Sequence, residues 1–247
     1  MAKYAHDTIV PFKDSDLNKK QQVATMFDRI AFRYDFLNRF LSAGIDVSWR
    51  KKAILHLKDI KPTYVLDVAT GTGDVAIMTQ KMLLTPKVTG IDISDGMLEI
   101  GRKKIEKLHL QEKINLVNGD SEKINFPDSS FDAITVAFGV RNFQNLEKGL
   151  QEMYRVLKPG GKLVVLEFSR PKNKIIRSAY NFYMNKLAPN FGNLFARNKD
   201  AYEYLNESAQ RFPERDEFRN ILEICGYKRT IIQPLTLGIC CIYCGSK

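Results

Sequence analysis

Tyr64-Val-Leu-Asp-Val-Ala-Thr-Gly-Thr-Gly-Asp74 is the stretch that decides the fold. Its apolar run, rich in Val and Leu, closes on Gly71 and Gly73. Val75-Ala-Ile-Met-Thr-Gln-Lys-Met82 then follows with helical spacing, so the segment reads as buried strand, tight turn and helix. Glycine lacks a Cβ, so the turn can adopt otherwise strained dihedrals and bring backbone N–H groups against a polar ligand. Gly71, Gly73 and Ala76 fit the dinucleotide pattern G-x-G-x-x-G/A. Asp92 follows about twenty residues later, where a carboxylate would meet a ribose hydroxyl. The glycines alone also fit an ordinary strand–helix turn or an NAD site. Asp67, within the strand, either holds the loop or meets a cationic ligand, and it tilts the reading from a pyrophosphate toward S-adenosylmethionine.

Downstream, strand and helix patterns alternate. Lys87-Val-Thr-Gly-Ile-Asp-Ile93 is a second strand ending at Asp92, and Asp95 opens a helix with an acid at its start. Ile114 to Asp120 is a third strand, Phe131 to Phe138 a fourth, and Leu146 to Leu157 a helix stopped by Lys158-Pro-Gly-Gly161. Lys162 to Phe168 is the fifth strand, and alternation of this kind implies a parallel sheet with right-handed crossovers. Phe218 to Cys225 is a helix, and Thr230 to Tyr243 reads as a terminal hairpin. From Pro171 to Arg211 the chain turns basic and aromatic, with Tyr180, Met184, Leu187, Phe191 and Phe195 at helical spacing. This reads as a helical cover over the carboxyl ends of the strands, where ligands sit.

Upstream, residues 1–20 read as a loose polar arm. Val23, Met26, Phe27 and Ile30 then share a helical face, and Phe27, Phe32, Phe36 and Phe40 are expected to pack mostly against the sheet. Tyr34, Asp35, Asn38, Ser42, Asp46, Trp49 and Arg50 form a dense polar and aromatic set suited to substrate contact.

The chain has 247 residues, enough for a sizeable core in one domain: a helical cover over 1–61, a cofactor-binding core over 62–168, an inserted cover over 169–212, and a helix and hairpin over 213–247. No run approaches the roughly 20 apolar residues of a membrane span, and the first residues do not resemble a signal peptide, so a cytoplasmic location is expected. Cys241 and Cys244 form a C-x-x-C, but no second pair completes a zinc site, so the cysteines read as buried strand residues and no metal is expected. The net charge of +10 is unevenly spread: +5 over residues 1–61, −1 over 62–161 and +6 over 162–247. Such flanks suit a nucleic acid or a membrane surface, or are a solvated basic exterior. No aromatic platform for single-stranded nucleic acid is visible on a strand, which argues against that partner.

Val65-Leu-Asp-Val-Ala-Thr-Gly-Thr-Gly73, Asp92, Asp120-Ser121, Phe131-Asp-Ala-Ile134 and Leu157-Lys-Pro-Gly-Gly161 together resemble a class I S-adenosylmethionine-dependent methyltransferase. More narrowly, Tyr34-Asp-Phe-Leu-Asn38 with Ser42 and Trp49-Arg50, Phe138-Gly-Val-Arg-Asn142, and Arg155 to Ser169 are similar to the UbiE/MenG family, whose members C-methylate the ring in menaquinone and ubiquinone biosynthesis. The resemblance implies a Rossmann-like α/β fold with a mostly parallel seven-stranded sheet, helices on both faces and an antiparallel C-terminal hairpin.

It also implies S-adenosyl-L-methionine contacts at Thr72, Asp92, Asp120 and Ser121, with Ala137 where the family carries a Ser; Asp67, Thr70, Gly71, Gly73 and Ile93, in or beside the loop and strand ends, complete the expected cofactor set. Asp46 stands where the family's first signature usually has His, so any role of that His does not carry over. The implied acceptor is a polyprenyl quinol contacted by Asn38, Trp49, Phe138 and Asn142; another lipophilic or phenolic acceptor is the alternative. Ring methylation needs an ionised hydroxyl, so Arg141 is expected to stabilise the phenolate, while Tyr34, Asp35 or a water held by Arg141 moves the proton. A water-insoluble acceptor implies transient contact with the inner face of the membrane, and a homodimer is one admissible assembly.

Overall fold

Tyr64–Val68 forms β1, with Val65, Leu66 and Val68 fully buried. The computed structural model describes residues 3–84, 87–182 and 199–247. The further strands are β2 (Lys87–Asp92), β3 (Ile114–Asn118), β4 (Phe131–Ala137), β5 (Leu157–Phe168), β6 (Lys228–Leu235) and β7 (Cys240–Ser246). They make one sheet in the order β3-β2-β1-β4-β5-β7-β6. The first five are parallel, with Val65 opposite both Val88 and Ala133. β7 enters antiparallel between β5 and β6, with Val164 opposite Cys244 and Ile232 opposite Tyr243. Parallel strands covered on both faces read as continuous apolar runs, which is why β1, β4 and β5 were visible in the sequence. β5 starts five residues before the expected Lys162: Leu157 already pairs with Phe131, and Lys247 extends the ladder over the glycines, with Gly160 N–H donating to the Lys247 carbonyl (3.0 Å) and Lys247 N–H to the Gly161 carbonyl (3.1 Å).

The helices are α1 (Lys19–Leu41), α2 (Ile45–Leu55), α3 (Asp74–Leu83), α4 (Asp95–Lys107), α5 (Leu146–Val156), α6 (Lys174–Phe182), α7 (Lys199–Arg211) and α8 (Asp216–Ile224). Leu150, Met153, Phe218 and Leu222 bury one face of the sheet, and Ala53, Ile77, Leu98 and Ile105 the other. Cys240, Cys241 and Cys244 are buried on β7 as the sequence suggests, and Cys225 is buried just past α8. Met184, Leu187, Phe191 and Phe195 lie outside the described residues.

Two expectations fail near the N-terminus. The arm is not loose: His6 and Ile9 are buried, Ile9 packs with Val23, Met26 and Ala201, and Lys19 Nζ donates to the His6 carbonyl at 2.8 Å. The helix beginning there is one rod of 23 residues, opened by a capping box between Asn18 and Gln21. Phe32, Phe36 and Phe40 do not pack on the sheet; they are 88%, 58% and 45% exposed. A helix turns about 100° per residue, which puts Phe32 about 180° from Val23 and carries Phe36 and Phe40 along that outer side.

Candidate active site

The site is built at the carboxyl ends of β1, β2 and β4. Gly71 (φ +55°) and Gly73 (φ +77°) take left-handed backbone that favours glycine, and Gly73 caps α3. The Gly71 N–H donates to Asp92 Oδ2 at 2.7 Å, and the Ser94 N–H to Asp92 Oδ1 at 2.9 Å. Each oxygen keeps accepting capacity for a ribose hydroxyl. Burial pushes the Asp92 carboxyl up to about 6 despite those two amides. Asp67 is also raised to about 6 by burial, and it takes the structural alternative the sequence left open: it accepts from Thr70 Oγ1 and Thr135 Oγ1, each at 2.6 Å, tying loop to sheet.

A cleft opens above this loop. Gly71, Asp92, Ile93, Asp120, Ser121 and Ala137 line its sheet side, together with Phe138 and Asn142, which the sequence reading expected at the acceptor. Val23, Phe27 and Tyr34 of α1 line the opposite wall.

Other expected site residues lie elsewhere. Thr70 is committed to Asp67, and Gly73 is turned to Leu116, 3.3 Å from where a Cβ would stand. The Thr72 hydroxyl donates to Asp35 Oδ1 (2.6 Å) and accepts from Lys104 Nζ (2.9 Å), away from the cleft lining. Asp35 is therefore not placed to move a substrate proton; it is paired with Lys104 (2.6 Å), because neighbours on a helix diverge by about 100° and Tyr34 faces the cleft. Trp49 is core: its Nε1–H donates to Thr236 Oγ1 (2.7 Å) and its ring packs on Phe138 and Phe168. Asn38 stands one turn beyond Tyr34 and bonds its side chain. Asp46 is bonded by Arg50 and by Ser42 Oγ (2.7 Å), so the residue that departs from the family pattern anchors α2.

Arg141 follows β4 in a short 3-10 turn (Val140–Asn142) and is buried. Its Nη1 donates to the Phe138 carbonyl at 2.8 Å and to Glu167 Oε1 at 2.5 Å. Its guanidinium lies 5.3 Å from the Phe168 ring centroid. Tyr34, Tyr180 and Tyr204 all lie in its field, and Tyr204 OH donates to Asn142 Oδ1 at 3.1 Å. Burial raises all three phenols, against the pull of Arg141.

Sequence reasoning missed Glu167, Tyr204, Lys20 and Asp28. A lone acid near the end of an otherwise apolar strand was the available signal for Glu167. Asp28 accepts from Ser94 Oγ (2.6 Å) and Gly96 N (2.9 Å), and Lys20 Nζ reaches Asp120 Oδ2 (2.6 Å) and Glu122 Oε2 (3.2 Å), so α1 is fastened along the cleft by polar contacts. Gly139 closes the floor: a Cβ there would stand 2.5 Å from that of Ala69, so the loops after β1 and β4 can touch only at glycine.

The model of the ubiE/COQ5 methyltransferase family matches residues 15–247. The chain is 44% identical over 244 residues to a demethylmenaquinone methyltransferase of Bacteroides fragilis, spanning 99% of each. It is 46% identical over 230 residues to the ubiquinone/menaquinone biosynthesis C-methyltransferase UbiE of Geotalea daltonii, covering 93% of this chain and 97% of that one. Among solved structures, a SAM-dependent methyltransferase from Aquifex aeolicus superposes with a TM-score of 0.55 at 24% identity, over 74% of this chain and 81% of the other.

Proposed function

The chain belongs to the ubiE/COQ5 methyltransferase family, and from that premise we propose that it C-methylates the ring of a demethylmenaquinol or related polyprenyl quinol. It is an S-adenosylmethionine-dependent methyltransferase with the fold of that class. The observation that carries the reading is one cleft lined both by Asp92 and by Phe138 and Asn142, with the buried Arg141 behind that lining, bonded to the Phe138 carbonyl.

The residues present fit the cofactor. Asp92 and the Gly71 backbone would hold the ribose, and Asp120 and Ser121 the adenine; when bound, S-adenosylmethionine supplies an electrophilic sulfonium methyl. The chain's own contribution is alignment, exclusion of water and stabilisation of a ring oxygen anion. Arg141 carries a permanent positive charge beside the cleft and serves as the anion's partner. Tyr34 forms the facing wall and borders the ring.

Labelled methyl transfer to short-chain naphthoquinol and benzoquinol acceptors tests the function, and calorimetry with S-adenosylhomocysteine against NAD tests the cofactor. Arg141→Ala should lower kcat by at least about 100-fold; a near-normal kcat would remove Arg141 from the chemistry.

The acceptor's insolubility calls for collection from a bilayer. No helix among the described residues is long and apolar enough to cross a membrane. Exposed Phe32, Phe36 and Phe40, on a helix that also carries Arg29, Arg33 and Arg39, suit a transient anionic surface contact at the inner face. A homodimer through the same side is the second reading. Flotation with anionic vesicles supports the first if Phe32→Ser releases the protein; a concentration-dependent mass in light scattering, lost in the same variant, supports the second.

A further inference from the structure

Asp92 is held at one oxygen by the Ser94 N–H, and Ser94 is itself held from outside its own element. Ser94 caps α4, its hydroxyl oxygen accepting from the Met97 N–H at 3.2 Å. The hydroxyl proton goes to Asp28 Oδ1 on α1 (2.6 Å), and the same carboxylate oxygen accepts from the Gly96 N–H at 2.9 Å. A helix start has four N–H groups without intrahelical partners, and here one of them is met by a carboxylate from another helix. That arrangement needs the two backbones close. A Cβ at Gly96 would stand 3.0 Å from Asp28 Oδ1 and 3.3 Å from Asp28 Cα, so glycine is what lets α1 lie against the first turn of α4.

We propose that Asp28 is a positioning residue for the cofactor: reaching from α1 to the start of α4, it fixes the Ser94 amide on Asp92 and so ties the ribose-binding carboxylate to the wall of the cleft. This rests on Asp92 as the ribose partner, as read above. The contacts are continuous. Asp28 takes the Ser94 hydroxyl, Ser94 gives its amide to Asp92 Oδ1, and Asp92 Oδ2 takes the Gly71 amide. Phe27, the neighbour of Asp28, and Tyr34 line the cleft from the same helix. Two hydrogen bonds thus separate Asp92 from the helix that walls the cleft.

Asp28 also acts by charge. Burial raises the Asp92 carboxyl most; the Ser94, Gly71 and Ile93 amides pull it back, and the Asp28 carboxylate adds to the rise. The other groups facing Asp92 are Asp67 of β1 and Tyr34 of α1. Burial raises both, and the Tyr34 phenol keeps its proton between pH 5 and 8.

Ribose hydroxyls favour the ionised form of Asp92. Removing the Asp28 charge while keeping its oxygen should therefore extend cofactor binding to lower pH. Removing the oxygen as well frees Ser94, and Asp92 then loses an amide that favours its ionised form, which works in the opposite direction. Asp28 is exposed, so both effects are modest in size.

The test is calorimetry with S-adenosylhomocysteine between pH 5 and 8 on wild type, Asp28→Asn, Asp28→Ala and Asp92→Asn. Asp28→Asn should keep its affinity at pH 8 within about twofold and move the midpoint of the pH profile down by about half a unit. Asp28→Ala should lose about fivefold in affinity at pH 8 for the missing hydrogen bonds. Its midpoint should lie above that of Asp28→Asn. A residue that only packs α1 against α4 would weaken binding without moving the midpoint, so coincident midpoints for wild type and both Asp28 variants overturn the proposal. If Asp28→Ala does not fold, the Asp28→Asn midpoint decides alone. An Asp92→Asn protein that binds like wild type at pH 8 removes Asp92 from the ribose site, and the proposal with it. Loss of binding in Asp92→Asn beside wild-type behaviour in both Asp28 variants overturns the proposal and leaves the cofactor reading standing, which separates the two failures.

Discussion

Lys20 and Asp120 meet at 2.6 Å across the mouth of the cleft, joining the first turn of α1 to the loop after β3. The pair is about one-third exposed on both sides, so its worth is modest. We expect Lys20→Met to speed dissociation of S-adenosylhomocysteine by about 2–5-fold, corresponding to about 0.5–1 kcal/mol. Stopped-flow displacement measures this, and an unchanged off-rate would show that the pair does not hold the cleft closed.

Cofactor binding should depend on pH through Asp92. Its carboxyl titrates at about 6, and ribose hydroxyls favour the ionised form. Affinity should therefore be greatest above pH 7 and fall as pH drops through 6, by up to tenfold per unit in the acid range. Asp92→Asn should weaken binding at pH 8 by about 10–100-fold and flatten the profile. Calorimetry across pH 5–8 gives both readings.

Trp49 separates packing from substrate contact. Its indole N–H is already met by Thr236, so Trp49→Phe should cost about 1 kcal/mol of stability for the lost bond. The quinol KM should stay within twofold. A raised KM with unchanged stability would return Trp49 to the acceptor site.

Asp132 fastens the start of β1 to β4, accepting from Thr63 N (2.9 Å), Thr63 Oγ1 (2.7 Å) and Tyr64 N (2.9 Å), with Lys158 Nζ at 2.7 Å on its other oxygen. Burial works against ionisation, but these contacts outweigh it and hold the carboxyl down at about 2. A lowered folded-state value means stability that is present above the ordinary carboxylate range, near pH 4, and is lost as pH falls toward 2. Asp132→Asn should cost about 2 kcal/mol at pH 7 and make acid unfolding shallower over that window, as denaturant melts would show.

The parallel core was legible because β1, β4 and β5 are apolar runs bounded by turn residues and strand patterns alternate with helical ones, and the glycine loop because left-handed turns demand glycine. Asp92, Asp120 and Ser121 were legible for the same local reason, each lying where a strand ends. What the sequence hid was direction. Phe32, Phe36 and Phe40 are apolar yet fall on the outer side of α1, and Tyr34 and Asp35 are adjacent in the chain yet face different partners. Glu167 was hidden differently: its meaning comes from Arg141, 26 residues earlier, and only the pairing of β4 with β5 brings the two together.

The continuous helix α1 touches both halves of the cleft, through Lys20 and Asp28 near the cofactor loops and Tyr34 near Arg141. On the arrangement proposed above, one rod answers to two ligands. Whatever free energy the donor contributes to seating this rod is already spent when the acceptor arrives, so each ligand should tighten the other by the same factor. A product complex should hold both halves more firmly than either alone, which makes release, rather than methyl transfer, the natural place for turnover to slow.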